Sequence, residues 1–390
     1  MNRALATVTG IGCVCAAGSS LESVLDTLSS DPPGPVPPSR LLRGRGTHPV
    51  FEVTLPRKPE KDLPGEPGLA MLFESALQAL GAAGLRAGDV AGKRVGVCIG
   101  SSVGFAVDCF PLYRAWKQGR QFPPGLLENF RRSNYALALK ERLKLEGPCQ
   151  LVANACASGT DAIGLGAHWI ASGLCDMVLA GGAEALSFIS YVGFIRLMIA
   201  DDKPCRPFDR ARNGLNLGEG ASVMLLESGR TSRKALGRVI GYGAASDAWH
   251  LTAPHPDGRG LRRAFAAALR AANLTGRDVA FINVHGTGTR ENDKVESAVL
   301  RDMFPGARLL ATKGATGHAL GAAGAIEAAI TLGCLNRGVI PASPGFVVPD
   351  PELGVSATVR AEKVEGGVAA SDSLAFGGCN SVLLLEGAET

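Results

Sequence analysis

The chain has 390 residues, of which 46% are hydrophobic and 19% are charged, and 51 are glycines. This composition indicates a compact globular protein with room for two units or one duplicated unit, and it excludes the disordered and fibrous classes. A formal net charge of +4, without interleaved aromatic and basic residues, gives no indication of nucleic-acid binding. No run of 18 apolar residues occurs, so no membrane-spanning helix is predicted.

The ten cysteines are scattered and form no C-x-x-C pair. Several lie within apolar, strand-like runs, and we therefore expect reduced thiols in a cytoplasmic protein. The first residues resemble a signal peptide, but Thr7, Thr9, Gly10 and Gly12 interrupt the apolar run. Its alternation favours a first β-strand over residues 4–15.

Strand-like and helix-like segments alternate along the whole chain. The predicted strands are residues 4–15, 48–55, 94–100, 151–155, 177–182, 218–227, 238–243, 279–284, 308–312, 368–373 and 381–386. The predicted helices are residues 21–28, 69–83, 134–143, a small-residue helix after Cys156, 261–272, 293–304 and 320–336. This alternation predicts an α/β fold with a largely parallel sheet.

The two halves of the chain repeat one another. The segment Leu215 to Glu227 aligns with Leu374 to Glu386 at an offset of 159 residues, with seven of thirteen positions identical. At the same offset Cys156 falls on Ala315. We therefore predict two copies of one fold, residues 1–230 and 231–390, whose helix starts meet at a shared site.

Cys156 is the candidate nucleophile, because it lies where a short apolar strand passes into a helix. The unpaired N–H groups and positive dipole end of that helix would stabilise a thiolate. The alternative is a buried and inert cysteine, which is common in intracellular proteins.

The second half supplies two histidines and a lysine beside glycines at strand ends. His285 lies in V-H-G-T-G-T-R-E-N-D, while Lys313 and His318 lie in K-G-A-T-G-H. Each histidine alone is more often structural, but together with Cys156 they predict a ligand crevice at one edge of a sheet. Zinc is a competing use of cysteine and histidine, but the spacings do not fit a structural zinc site, and we expect no metal.

These motifs, taken in order, resemble a known family. The chain resembles the β-ketoacyl-acyl carrier protein synthases of the elongating type, in the thiolase superfamily, over nearly its whole length. The matching signatures are T-G-I-G, A-C-A-S-G around Cys156, R-P-F-D-R-A-R-N-G-L-N-L-G-E-G-A, S-D-A-W-H-L-T-A-P, H-G-T-G-T, K-G-A-T-G-H-A-L-G-A-A-G and F-G-G-C-N. The resemblance implies a thiolase-like, five-layered α-β-α-β-α fold of two pseudo-duplicated halves.

The resemblance also implies catalytic roles. Cys156 would accept an acyl chain from an acyl carrier protein, and the N–H groups of Cys156 and Phe376 would hold the oxyanion. His285 and His318, both neutral, would stabilise the negative charge that develops as malonyl-acyl carrier protein loses carbon dioxide. Attack on the acyl-Cys156 thioester would then give a 3-oxoacyl-acyl carrier protein.

Supporting roles follow from the same resemblance. Lys313 would order the site electrostatically, with Glu219 as its partner. Thr287 and Thr289 would bind the phosphopantetheine arm, which the carrier protein supplies, so the enzyme itself needs no cofactor. Phe376 would act as a gate, and Gly377 in the same glycine-rich loop would bind substrate and let the loop move.

The implied partners are an acyl carrier protein and a second synthase subunit. Carrier proteins are acidic, so a basic docking face is expected, although scattered surface charges are an equal explanation. The candidate docking residues are Arg57, Lys58, Lys61, Lys117, Arg120 and Arg206. A homodimer is expected, and a heterodimer with a related synthase-like subunit is the alternative.

Departures from the family pattern leave the substrate open. The family often has F-G-F-G-G-T-N where this chain has L-A-F-G-G-C-N, and Ala155 and Ala157 flank the cysteine. The sequence therefore predicts neither the acyl-chain length nor whether the product is a fatty acid, a polyketide or a polyene.

Two other functions compete with that of an active synthase. A chain-length-factor-like subunit usually lacks the cysteine, which is present here. A thiolase would need a second catalytic cysteine, and the only candidate, Cys379, matches a threonine of the synthases.

Overall fold

The computed structural model describes residues 4–41, 47–54, 67–104, 109–121 and 134–388. Ten of the strands in this part of the chain form one sheet, and β9 and β10 form a small separate ribbon. The strands are β1 (Ala6–Cys15), β2 (Val95–Gly100), β3 (Cys149–Val152), β4 (Met177–Glu184), β5 (Gly220–Glu227), β6 (Gly237–Ser246), β7 (Phe281–Asn283), β8 (Arg308–Leu310), β9 (Val339–Ile340), β10 (Glu362–Lys363), β11 (Val368–Ala375) and β12 (Cys379–Gly387).

The helices alternate with these strands. They are α1 (Leu21–Leu28), α2 (Pro67–Ala82), α3 (Ala87–Val90), α4 (Cys109–Lys117), α5 (Tyr135–Arg142), α6 (Ser158–Ala171), α7 (Phe188–Arg196), α8 (Arg259–Ala272), α9 (Arg290–Met303), α10 (Lys313–Thr316) and α11 (Ala323–Arg337). Short 3₁₀ turns precede α6 and α11, over Ala155–Ala157 and Leu320–Ala322.

The strand order of the large sheet reads the same from both ends. The order is β3-β2-β4-β5-β1-β6-β12-β11-β7-β8, so each strand of the first half has a counterpart in the second. The directions also correspond, because β2 is parallel to β3 and β4 just as β7 is parallel to β8 and β11. The halves join where β1 pairs with β6.

The sheet is mixed, so the prediction of a largely parallel sheet is wrong. Strands β4 and β5, β11 and β12, and β1 with both of its neighbours pair antiparallel. The β11–β12 connection has only three residues, Phe376 to Gly378. Such a short connection can form only an antiparallel hairpin, because a parallel pair needs a long crossover.

Five layers result from this arrangement. Helices α6 and α11 pack between the two half-sheets, and α11 is buried from Ala323 to Cys334. Helices α2 and α5 cover the outer face of the first half-sheet, and α8 packs against the outer face of the second with α9 beside it. Small side chains on the two central helices allow this close packing.

Most predicted elements are present, although several details differ. Residues 48–54 do not form an edge strand, because only isolated bridges from Val50 and Phe51 occur there, and Leu55 lies outside the described residues. Strand β3 ends at Val152 rather than at Ala155. Helix α7, whose Ser187 side chain caps its first turn, was not predicted.

The repeat has a change of register that the sequence comparison missed. The offset of 159 residues holds for β3 with β8 and for β5 with β12. After β8, however, the turn that begins at Ala155 (φ 46°) matches the turn that begins at Leu320 (φ 45°). The structural counterpart of Cys156 is therefore Gly321 rather than Ala315. The extra residues in the second half carry Lys313 and His318.

Candidate active site

Cys156 occupies a tight turn between β3 and α6. Ala155 has a left-handed backbone (φ 46°), which is unfavourable for a residue with a side chain. Hydrogen bonds hold this turn: the Asn154 N–H donates to Ser158 Oγ (2.8 Å), and Ser158 Oγ donates to the Ala155 carbonyl oxygen (2.7 Å). The Cys156 thiol is thereby fixed in a buried position at the N-terminus of α6.

The helix end was predicted to favour a thiolate at Cys156, but burial of the thiol acts in the opposite direction. Burial raises the pKa of Cys156 to about 12, and the nearby Glu184 carboxylate acts in the same direction. The Lys313 ammonium lowers the pKa but does not offset burial. Burial therefore favours the neutral thiol over the thiolate at Cys156.

Phe376 contacts the cysteine through its backbone and borders the cavity with its ring. Its N–H forms a hydrogen bond with the Cys156 sulfur. Its ring stacks on Phe194 of α7, with centroids 5.5 Å apart. Phe376 opens the β11–β12 hairpin turn, in which Gly377 and Gly378 have φ values of 84° and 73°. A non-glycine residue would be strained at either of these positions.

Gly377 was predicted to bind substrate, and the structure shows its backbone contact and its place in the turn. Its N–H donates to the Leu251 carbonyl oxygen (2.8 Å), and the residue is absent from the cavity lining. Its described role is to shape the turn behind Phe376.

Lys313 and the two histidines of the second half meet beside Cys156. The Lys313 ammonium lies 3.3 Å from His285 Nδ1 and also donates to the His285 carbonyl oxygen. The imidazole rings of His285 and His318 have centroids 5.2 Å apart. Because an ammonium can only donate, His285 Nδ1 must accept and the ring proton must lie on Nε2.

Both histidines are neutral in this environment. Burial, and then the Lys313 ammonium, hold the pKa values of His285 and His318 well below the usual 6.5. Two neutral imidazoles can donate hydrogen bonds to developing negative charge without first losing a proton.

The partner of Lys313 is Glu327 rather than Glu219. Lys313 donates to Glu327 Oε1 on α11, and both side chains are buried. Burial raises the pKa of Glu327 to about 7, while Lys313 lowers it. Glu219 instead accepts from Arg40, from the Val53 N–H (2.8 Å) and from the Leu186 N–H (3.2 Å). It follows the segment in which Leu217 pairs with His318.

Other buried carboxyl groups surround the site and were missed in the sequence. Glu184 accepts from Ser101 Oγ (3.0 Å), Ser102 N–H (2.5 Å) and Gly321 N–H (3.1 Å), and burial raises its pKa to about 7. Glu327 could have been noticed, because it is the single acidic residue in the apolar run from Ala315 to Leu335. A lone charge in such a run must be paired.

One cavity of about 370 Å³ brings most of these residues together. Cys156, His285 and His318 line it, and Lys313 lies behind His285. Thr287 and Thr289 also line it, with their hydroxyl oxygens 2.8 Å apart. The cavity therefore presents a thiol, two neutral imidazoles and two hydroxyls to one bound molecule.

The family of the chain follows from its match to two family models. The beta-ketoacyl synthase N-terminal domain matches residues 6–232, and the beta-ketoacyl synthase C-terminal domain matches residues 236–347. The chain belongs to the beta-ketoacyl synthase family. The fold agrees, since the ishigamide ketosynthase/chain length factor structure superposes with a TM-score of 0.91 at 28% identity and 100% coverage of both chains.

Curated members of the family include enzymes of two kinds of pathway. The 3-oxoacyl-[acyl-carrier-protein] synthase 2 of Rhizobium meliloti is 36% identical over 68% of this chain and 66% of its own length. The ketoacyl synthase alpha subunit of the tetracenomycin polyketide synthase of Streptomyces glaucescens is 37% identical over 62% of this chain and 60% of its own length. The chain thus aligns with slightly less than two thirds of these curated relatives.

The residues proposed to dock a carrier protein remain a prediction. Arg57, Lys58 and Lys61 lie outside the described residues, Lys117 and Arg120 are exposed, and Arg206 is half-buried. Within the described residues, no cluster of three or more potential metal ligands is found. No helix in that part of the chain has the length and hydropathy needed to cross a bilayer.

Proposed function

We propose that the protein is a β-ketoacyl-acyl carrier protein synthase that elongates an acyl chain carried on Cys156. The observation that carries the proposal is the shared cavity, in which the Cys156 sulfur, bonded to the Phe376 N–H, faces His285 and His318. Family membership supports the reaction class, and this chain's own residues supply each group that the reaction requires.

The first step transfers the acyl group to Cys156. The sulfur attacks the acyl thioester carbonyl, the bond to the phosphopantetheine sulfur breaks, and the Cys156 proton leaves with that sulfur. The N–H groups of Cys156 and Phe376 stabilise the oxyanion, a contribution of roughly 3 kcal/mol per donor. Since the pKa of Cys156 is about 12, the thiol gives up its proton only as the new bond forms.

The second step generates the carbon nucleophile. Malonyl-acyl carrier protein loses carbon dioxide as its carboxylate C–C bond breaks, and the electron pair passes into an enolate. His285 and His318 donate N–H bonds to the thioester oxygen that becomes negative. Lys313 keeps the proton of His285 on Nε2 through its contact with Nδ1.

The third step joins the two carbons. The enolate carbon attacks the acyl-Cys156 carbonyl, the C–S bond breaks, and the Cys156 thiolate takes up a proton from solvent. The product is a 3-oxoacyl thioester, two carbons longer, on the carrier protein. Thr287 and Thr289 bind the phosphopantetheine arm, and the Phe376 turn gates the cavity.

The partners follow from the same proposal. An acidic acyl carrier protein docks at the cavity mouth, with Lys117, Arg120 and Arg206 as candidate contacts. The protein acts in the cytoplasm as a homodimer, or as a heterodimer with a synthase-like subunit. The heterodimer is supported by the likeness to a structure named as a ketosynthase/chain length factor.

The test is a condensation assay with malonyl-carrier protein and acyl-carrier proteins of graded chain length, with products weighed by mass spectrometry. The wild type should give 3-oxoacyl products, and Cys156→Ala should give none while retaining its fold by circular dichroism. If the wild type forms no product, either alone or with a synthase-like partner subunit, the proposal is contradicted. Product formation only with that partner would identify the heterodimer.

A further inference from the structure

The loop after β7 runs along the cavity wall from its buried end to its mouth. His285, Thr287, Thr289 and Arg290 all line the cavity. His285 is 2% exposed and Thr287 6%, Thr289 is half-buried, and Arg290 is exposed. Because exposure rises steadily along these residues, the loop marks the path from Cys156 to solvent.

The mouth of the cavity carries a single positive charge among its described lining residues. Exposed Met198, Asn213, Thr252 and Glu291 surround the opening together with Arg290. Arg290 is the one arginine or lysine in this lining, and it forms no ion pair with any residue that the structure describes. Its guanidinium is thus available to a ligand.

Arg290 is held at the mouth by the fold. It is the first residue of α9, directly after Thr289, whose hydroxyl is bonded to Thr287. The backbone at this point is therefore fixed, and only the side chain must adjust when it binds an anion. Little ordering free energy is lost in such a contact compared with one from a mobile loop.

We propose that Arg290 binds the phosphate group of the phosphopantetheine arm. This inference rests on the proposed function, which places the thioester end of the arm at Cys156 and the body of the arm along Thr287 and Thr289. The phosphate is at the opposite end of the arm and reaches the mouth, where Arg290 meets it. A guanidinium pairs with phosphate oxygens through two parallel N–H bonds, so it also fixes the depth to which the arm enters.

The neighbouring Glu291 opposes this binding and offers an internal check. Its carboxylate lines the same opening and repels an anion there. Removing the two charges should therefore have opposite effects on substrates that carry a phosphate.

The experiment separates the phosphate from the carrier protein, since acidic side chains of the carrier offer similar anionic chemistry. Acylation of Cys156 is measured with three acyl donors: acyl-pantetheine, acyl-phosphopantetheine and acyl-carrier protein. The variants are Arg290→Gln, Arg290→Lys and Glu291→Gln. Arg277→Gln, which removes an exposed arginine outside the cavity lining, is the control.

The expected result is a rise of about five-fold in KM for acyl-phosphopantetheine in Arg290→Gln. KM for acyl-pantetheine and kcat should not change, because that donor has no phosphate. Arg290→Lys should raise KM for acyl-phosphopantetheine by a smaller factor than Arg290→Gln does. Glu291→Gln should lower that KM, and Arg277→Gln should leave it at the wild-type value.

Equal KM changes with and without the phosphate would overturn the inference. A rise in KM that Arg290→Gln shows only with acyl-carrier protein would also overturn the inference, because Arg290 would then contact the carrier's own carboxylates. Wild-type protein that accepts no thioester, even with a synthase-like subunit added, would contradict the proposed function itself. The outcomes are therefore distinguishable.

Discussion

At the scale of single residues, the nucleophile is buried more deeply than its position at a helix start would indicate. A sequence can show that Cys156 precedes a helix, but the pKa depends on how much water the folded chain removes from the thiol. Here burial outweighs the Lys313 ammonium, and Glu184 adds a negative charge nearby. The sequence thus points to Cys156 as the candidate nucleophile but does not show the burial that opposes its ionisation.

The reactivity of Cys156 should therefore depend steeply on pH. With a pKa of about 12, the thiolate fraction, and with it the iodoacetamide alkylation rate, should rise about tenfold per pH unit between pH 7 and 9. Peptide mapping after timed alkylation measures this rate. A free thiol with a pKa of about 8.5 is the control and should level off above pH 9. A plateau for Cys156 below pH 8 would show that the helix end and Lys313 outweigh burial.

The lysine partner is a second residue that sequence alone assigns wrongly. Glu219 lies in a family motif and is fully buried, but its oxygens are taken by Arg40 and two backbone N–H groups. Glu327 comes from the opposite side, on the central helix α11. Only the packing of that helix shows which carboxylate faces Lys313.

Replacing Glu327 should harm both stability and rate. In Glu327→Gln the Lys313 ammonium stays buried without its counter-charge, which typically costs about 3–5 kcal/mol. We expect a similar loss in the free energy of urea unfolding and at least a tenfold lower condensation rate for the folded protein. Glu219→Gln should also lower the free energy of unfolding, but its folded fraction should keep the wild-type condensation rate. An equal rate loss in both variants would contradict the assignment of Glu327.

At the scale of elements, the turn that carries Cys156 is tied to the opposite half of the chain. Asp161 on α6 accepts from Asn154 Nδ2 (2.5 Å), from the Tyr242 hydroxyl (2.8 Å) and from Ser381. Tyr242 and Ser381 lie on β6 and β12. Tyr242 packs directly over Gly164, where an added Cβ would lie 2.3 Å from the ring. This network holds the Asn154 side of the strained turn.

Removing one hydroxyl from this network should be measurable. Tyr242→Phe keeps the ring but removes one donor to the buried Asp161, so we expect a loss of about 1–3 kcal/mol in unfolding free energy. Tyr113→Phe removes the same atom from an exposed ring on α4 and should change stability by less than about 0.5 kcal/mol. Equal effects in the two variants would show that Asp161 does not depend on Tyr242.

Element types were predictable, but their pairing was not. Alternating and apolar runs gave the positions of β1, β2, β4, α6 and α11 to within a few residues. The antiparallel pairs depend on connections whose geometry the pattern does not contain. The register change near Lys313 was also hidden, because small residues fill both halves there and align equally well at several offsets.

At the scale of the whole molecule, the palindromic sheet leaves β3 and β8 at its two edges. Edge strands expose unpaired backbone groups and are natural sites for association. The repeat of two sequence segments predicted the duplication that underlies this sheet. It could not predict that β1 and β6 would join both halves into one continuous sheet.

The proposed dimer makes a simple prediction about mass. Light scattering on the purified protein should give about twice the chain mass of 40.2 kDa. If the protein requires a synthase-like partner, the same mass should appear only after mixing. A monomer under both conditions would contradict the proposed dimer.

The most direct test of the central claim is the intact mass of the protein after incubation with an acyl-carrier protein. The mass should increase by one acyl group, which peptide sequencing should locate on Cys156 and which should be lost when malonyl-carrier protein is added. The Cys156→Ala variant should show no increase, whereas Cys149→Ala, which removes a half-buried thiol from β3, should behave as the wild type. An acyl group that persists in Cys156→Ala, or that malonyl-carrier protein does not remove from the wild type, would show that Cys156 does not carry the acyl chain during elongation.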